Sequence, residues 1–241
     1  MRRLLPTYAE TVDLPAAYAY PEGRPWLRAQ MVSSADGAAV LEGRSGGLSG
    51  RADKRVFALT RALADVILVG ASTVRVEGYR PPEIRPEFQP LRAGRPSAPP
   101  LAIVSRSLDL DLDDPAYREA EPRTIVVTAR RAPAARLAAV REVADVIVAG
   151  EDLVDVGYAV DALVERGHRR LLCEGGPRLL AEVAAVGRLD ELCLTLSPLL
   201  IAGSAPRILN GVALQPAQRM ELAQLLEEDG FLFARYVRAP A

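Results

Sequence analysis

The sequence predicts an α/β fold: a mainly parallel central sheet flanked by helices, with a β-hairpin at the C-terminal end. Three observations carry this reading. Short apolar runs, several of them rich in β-branched residues, alternate with segments of helical period between Trp26 and Val186. Glycine, proline, serine or aspartate punctuates the junctions between them. The pattern then changes, and the last fifty residues hold strand-like stretches with a turn at Asp229-Gly230. Strands that alternate with helices pair in parallel, whereas a terminal hairpin adds antiparallel edge strands.

Each element follows from its residues. Positions 1–25 scatter Pro, Ala and Tyr without periodicity, which describes an N-terminal arm lying over the domain. Trp26 to Val32 is the first strand and stops at the turn signal Ser33-Ser34-Ala35-Asp36-Gly37. A Gly- and Ser-rich stretch, Gly43 to Gly50, leads into a helix from Arg51 to Leu63, where Val56, Leu59 and Leu63 share a face. Asp65 to Val69 is a short apolar strand ending at Gly70. The proline-rich run Pro81 to Pro100 has no period and is expected to be a long surface loop. Leu101–Val104 and Thr124–Thr128 have the composition of buried strands. Leu108 to Leu112 alternates Leu with Asp, the pattern of a short edge segment rather than a metal site. Ala132–Val140 is expected as helix, Asp145–Val148 as strand and Val156–Val164 as an amphipathic helix. The strand Leu171-Leu172-Cys173 follows, with a helix from Pro177 to Val186. Glu191–Leu196 is the next strand, and Arg219–Leu226 with Phe231–Val237 forms the hairpin. No internal repeat or linker interrupts residues 26–241, so a single domain follows the arm.

Composition narrows the function classes. The 241 residues carry 49% apolar and 25% charged side chains, and 30 basic residues face 31 acidic ones, a net charge of −1. With no basic stripe, a nucleic-acid or membrane surface is not expected. No apolar run reaches the length of a membrane span, and Met1 to Pro6 lacks the apolar core of a signal peptide, so the expectation is a cytoplasmic protein. Cys173 and Cys193 both sit in apolar strand patterns, where buried free thiols are expected rather than a disulfide. His168 is the only histidine and Lys54 the only lysine. A histidine triad, a zinc site or a Schiff base would each have to draw on one of these two, in a polar turn and on an exposed helix face. The chain itself therefore offers few nucleophiles or metal ligands, no metal is expected, and an enzyme of this composition leaves the chemistry to an organic cofactor.

The segment Leu171 to Pro177 is the richest in chemical content. A buried strand runs into Gly175-Gly176, and a helix begins at Pro177, whose missing N–H costs nothing in a first helical turn. Such a junction turns unpaired N–H groups and the positive end of the helix dipole toward an anion, and the glycines let a phosphate reach the backbone. Glu174 places a carboxyl beside that position. A plain strand-to-helix turn is the alternative for the motif alone.

Four segments add to it: Gln30 to Gly37; Ser45-Gly46-Gly47-Leu48-Ser49-Gly50 with the helix after it; Ala64 to Arg75; and Glu174-Gly175-Gly176-Pro177 continuing to Leu189-Asp190-Glu191-Leu192 and Leu196-Ser197-Pro198. In this order and spacing the chain resembles the reductase domain of bacterial riboflavin biosynthesis, the C-terminal part of the bifunctional deaminase/reductase. The resemblance covers Trp26 to Val237. It implies a dihydrofolate reductase-like fold, a homodimer, and NADPH bound across the carboxyl ends of the strands. It implies that Gly70, Ser72, Thr73 and Val74 line the cofactor and that Gly175 and Gly176 receive its pyrophosphate. Ser105 and Arg106 then fall where these folds hold the adenosine 2′-phosphate, and a guanidinium there suits NADPH over NADH. Thr128 is expected on the adenosine side. The implied reaction is hydride transfer to the ribose carbonyl of 5-amino-6-(phosphoribosylamino)uracil. Glu174 and Asp36 are the carboxylates expected near the substrate, to orient the opened sugar or relay a proton. A cap on the Asp36-Gly37 bend is the alternative for Asp36.

The match departs from the family in three places. The His-x-Glu and Pro-Cys-x-x-Cys signature of a zinc deaminase is absent, so no deamination is expected. Ala38 stands where the family has a lysine for the substrate phosphate; the loss of a charged hydrogen bond is worth about 1–3 kcal/mol unless replaced. Val76-Glu77-Gly78-Tyr79 replaces the family's acidic or amide pair and proline. Ser45 and Ser49 keep the phosphate-contacting loop, Glu77 is the expected substitute for the substrate-binding aspartate, and Arg80 is the replacement cation. These changes leave two rival readings: an NADPH-dependent reductase of another heterocycle such as dihydrofolate, and a non-catalytic NADPH-binding protein.

Overall fold

The computed structural model describes residues 1–211 and 213–239; Val212 and the last two residues of the expected domain lie outside it. Ten strands form one sheet. In chain order they are β1 (Arg2–Leu5), β2 (Trp26–Ser34), β3 (Val66–Gly70), β4 (Leu101–Val104), β5 (Ile125–Thr128), β6 (Asp145–Val148), β7 (Arg170–Cys173), β8 (Glu191–Ser197), β9 (Met220–Glu228) and β10 (Phe231–Arg238). The spatial order is β1-β9-β10-β8-β2-β7-β3-β4-β5-β6. Every neighbour from β8 to β6 is parallel, and β8, β10, β9 and β1 pair antiparallel. The helices are α1 (Leu14–Ala17), α2 (Arg51–Leu63), α3 (Ala71–Glu77), α4 (Pro115–Arg118), α5 (Ala134–Val143), α6 (Val156–Glu165) and α7 (Pro177–Ala185), with 3-10 turns at Ser45–Leu48 and Pro86–Arg92.

The apolar strands are buried on both faces. Along β3, Val66 and Leu68 pack with Leu163 of α6 and Leu180 of α7, whereas Ile67 and Val69 pack with Val140 and Val143 of α5. This is the two-residue period of a strand covered on both sides. Truncating a fully buried leucine such as Leu68 in such a core costs about 2–5 kcal/mol. A third cluster sets α2, through Val56 and Leu59, against Leu226 and Phe233 of the hairpin.

Three segments differ from expectation. The arm is part of the sheet: β1 pairs with β9, and residues 17–20 are fastened by buried charge. Arg28, fully buried, donates to the Tyr18 carbonyl at 2.7 Å and to Glu191 at 3.0 Å, while Arg235 reaches the other Glu191 oxygen at 2.7 Å. Periodicity could not reveal a segment held by its carbonyls. The Pro81–Pro100 run is not wholly surface, because Ile84, Phe88 and Ala98 enter the core around its 3-10 turn. Leu108 to Leu112 forms no strand. Its carbonyls at Leu108 and Leu110 accept from Arg136, and those two leucines are buried as anchors of an irregular loop. Both cysteines are buried free thiols, and burial pushes Cys173 up to about 12.

Candidate active site

Two strand-to-helix junctions lie side by side at the carboxyl ends of the parallel strands. β3 runs through Gly70 directly into α3, and β7 runs through Glu174-Gly175-Gly176 into α7, with Pro177 in its first turn. The Gly70 N–H donates to the Gly175 carbonyl at 2.8 Å, and the Glu174 N–H to the Leu68 carbonyl at 3.0 Å. Gly175 adopts φ +79°, which disfavours any side chain. At Gly176 an added Cβ would lie 2.5 Å from Thr73 Oγ1, so any side chain there forces the Thr73 hydroxyl to move.

Beside this seam opens a cleft of about 710 Å³. Of the residues expected at the site, Ser45, Ser49, Ser72, Thr73, Glu77, Arg80, Glu174 and Gly176 line it. The Ser45 N–H donates to Glu77 Oε1 at 2.8 Å, tying the Gly-rich loop to the end of α3. The Ser49 hydroxyl donates to Asp53. Gly70, Val74 and Gly175 support the seam from behind and do not line the cleft. Ser105, Arg106 and Thr128 lie away from it, at the ends of β4 and β5. There Ser105 Oγ accepts the Leu108 N–H at 3.1 Å, Arg106 is exposed, and the buried Thr128 Oγ1 has no partner among the described residues.

Asp36 lies apart from the residues gathered on the cleft. It is exposed and stands outside the cleft, where its carboxylate accepts the N–H groups of Ile201 and Ala202 and the Ser34 hydroxyl. The Ser34 hydroxyl and those two N–H groups hold its carboxyl below the ordinary range. Through Ser34 the carboxylate braces its own bend, and through Ile201 and Ala202 it latches the loop after β8.

Glu174 has partners that motif reading missed. Arg61 grips it with two parallel bonds, Nε to Oε1 at 2.7 Å and Nη2 to Oε2 at 2.8 Å, and Tyr79 donates its hydroxyl to Oε2 at 2.6 Å. The Arg61 guanidinium also lies over Phe57 and Tyr79, 4.4 and 5.1 Å from the ring centres. Burial, reinforced by the Glu174 charge, pushes Tyr79 well above the usual phenol range. Burial works against charge on Arg61, and Glu174 outweighs it, so the guanidinium is held above its ordinary value. Asp53, 5% exposed, also lines the cleft, and burial raises its carboxyl against the pull of Ser49 and Thr195. A signal for these residues was present in α2. Asp53, Phe57 and Arg61 recur every four positions, which puts them on one face beside the core face of Val56, Leu59 and Leu63. Lys54 lines the cleft from the same helix and is exposed, as expected.

Among the described residues no group of three or more His, Cys, Asp or Glu is placed to hold a metal, and no helix is long and apolar enough to cross a membrane. The 2,5-diamino-6-ribosylamino-4(3H)-pyrimidinone 5′-phosphate reductase of Archaeoglobus fulgidus is 28% identical over 221 residues, spanning 89% of this chain and 100% of its own length. The crystal structure of a pyrimidine reductase-like protein from Corynebacterium diphtheriae superposes with a TM-score of 0.81 at 28% identity, over 90% of this chain and 93% of that one. The RibD of Acinetobacter baumannii shares the fold alone, at 19% identity and a TM-score of 0.71 over 91% of this chain and 59% of its own. Residues 25–229 match the RibD C-terminal domain, and the chain belongs to that family.

Proposed function

We propose that the chain is an NADPH-dependent pyrimidine reductase of the riboflavin pathway, a cytoplasmic enzyme that works as a homodimer. The observation that carries the reading is the joined β3–α3 and β7–α7 seam on a cleft lined by Glu174, within a chain matched along most of its length by pyrimidine reductases. The residues present fit a dinucleotide, because Gly176 lines the cleft at the start of α7, where backbone without a side chain is open to a phosphate. When bound, the cofactor supplies the hydride. Gly176, Ser72 and Thr73, which line the cleft, would hold its phosphates, and Arg106 would meet the 2′-phosphate.

The chain's own residues do the rest. Arg61 and Tyr79 fix the Glu174 carboxyl in one orientation against the sugar, so that donor and acceptor carbons meet at a set angle. Lys54 and Arg80, with the Ser45 and Ser49 loop, replace the cation lost at Ala38 and bind the substrate phosphate. The relatives' names favour a second substrate besides 5-amino-6-(phosphoribosylamino)uracil, the diaminopyrimidinone phosphate that has not been deaminated. The same names leave the dihydrofolate and non-catalytic readings without support. For the dimer, Leu199, Leu200 and Leu222 supply exposed apolar surface. The test is NADPH oxidation by the purified protein with each pyrimidine and with dihydrofolate. Turnover of either pyrimidine is the expected result. Turnover of dihydrofolate alone, or none despite cofactor binding, overturns the proposal.

A further inference from the structure

A second hollow, of about 750 Å³, lies at the opposite ends of the parallel strands, where β2, β3 and β7 begin. Its charge is lopsided. Arg24, Arg92, Arg95, Arg166, Arg169 and Arg170 line it, against Glu22 and Asp65. Arg24 is drawn off by Asp190 at 2.9 Å. Asp65 is already saturated: it accepts Arg170 at 2.9 Å, Arg95 at 3.3 Å, and the backbone N–H groups of residues 169 and 170. Glu22 is exposed and pairs with none of these arginines.

That leaves Arg92, Arg166 and Arg169 with no carboxylate within ion-pair distance among the described residues. Arg166 and Arg169 are exposed and each spends one Nη2 on a carbonyl, of Val146 and of Gly23, both at 3.1 Å. Arg92 is the telling case, because it is 3% exposed and a buried guanidinium ordinarily brings a counter-ion. Its Nε donates to the Pro96 carbonyl at 2.7 Å and its Nη1 to the carbonyls of Ala62 and Ala64, while Nη2 has no partner among the described residues. Burial and the neighbouring Arg95 lower it to about 10, the direction expected of a cation lacking an anion.

We propose that this hollow is an anion site, distinct from the active cleft, that takes a phosphate group between Arg92, Arg166 and Arg169. Guanidinium groups suit that anion, since each presents paired N–H donors to its oxygens. A purely structural role, in which Arg92 and Arg95 cap the carbonyl end of α2, explains the two inner arginines, whereas Arg166 and Arg169 each spend one Nη2 on a carbonyl and keep their remaining donors for an anion.

The test is isothermal titration of the full chain with inorganic phosphate, pyrophosphate and glycerol 3-phosphate. It uses the wild type, an Arg166→Ala/Arg169→Ala double variant, and a Lys54→Ala/Arg80→Ala variant of the active cleft. The paired exposed substitutions avoid the folding defect that loss of Arg92 would bring. The expected result is saturable binding that persists in the cleft variant, where the phosphate site of the active cleft is lost, and that the Arg166/Arg169 substitutions weaken by about tenfold or more, as the loss of charged bonds predicts. Binding of the inorganic anions alone or of the ester alone both support the site and differ only in its occupant. Equal affinity in wild type and the Arg166/Arg169 variant, or no saturable binding in the wild type, overturns it.

Discussion

Arg61 and Glu174 form a two-pronged ion pair across the cleft, 2.7 and 2.8 Å, joining the last turn of α2 to the end of β7. The Glu174 side chain is 1% exposed and Arg61 18%, so each partner depends on the other to remain buried while charged. Removing the guanidinium in Arg61→Met should cost about 3–5 kcal/mol, the usual penalty for stranding a buried charge. Glu174→Gln should leave NADPH affinity intact while turnover falls about a hundredfold, because the carboxamide lets the acceptor drift. Cofactor titration beside steady-state rates separates the two effects, and an unchanged rate removes Glu174 from the reaction.

The seam between the two helices predicts a steric effect at one position. Gly176→Ala drives a methyl group to within 2.5 Å of Thr73 Oγ1. Overpacking of that kind costs about 1–3 kcal/mol and forces the Thr73 hydroxyl out of its place on the cleft. NADPH affinity measured by fluorescence should fall by about tenfold, whereas Gly70→Ala, whose Cβ meets only ordinary contacts of 3.7 Å or more, should be tolerated.

Cofactor choice is assigned to Arg106, which is exposed at the end of β4. If it meets the 2′-phosphate, Arg106→Ala should weaken NADPH about tenfold and NADH hardly at all. Equal loss for both cofactors, measured by competition, removes that role.

Asp53 gives a pH dependence with a definite sign. Burial raises its carboxyl in the folded chain above its unfolded value, so the folded state holds the proton more tightly. Stability from this group is therefore full below the unfolded carboxylate pKa and is lost as pH rises through the raised folded value. Asp53→Asn should raise Tm at neutral pH and have little effect well below the ordinary carboxyl value of 3.8, where the group is protonated in the folded and unfolded chain alike; melting curves in the two ranges decide it.

The parallel half of the sheet was legible because its strands obey local rules. α2 begins at Arg51 and ends at Leu63, as its apolar face at Val56, Leu59 and Leu63 required. The glycine junction at Gly175-Gly176 was legible for the same reason, since chemistry and backbone geometry coincide in a few adjacent residues. The polar half of the cleft was not. Arg61 and Tyr79 meet Glu174 across 113 and 95 residues of chain, and although the four-residue spacing of Asp53, Phe57 and Arg61 marks a shared helix face, it does not name the carboxylate that face would meet. Asp36 shows the converse: a carboxylate beside a recognisable motif is captured by backbone N–H groups 165 and 166 residues away. The arm escaped for a similar reason, because β1 pairs with a strand from the far end of the chain.

That pairing orders events during synthesis. Arg2 meets Glu227, 225 residues downstream, so β1 waits for a strand that is made long after it. The parallel strands from β2 to β7 can associate while β1 has no edge to join, and β8, the hairpin and the arm then close in succession. Contacts of such long range are slow to form and leave an unpaired edge exposed in the meantime. Until β9 and β10 are made, the open edge at β8 is where such a chain is most vulnerable to aggregation.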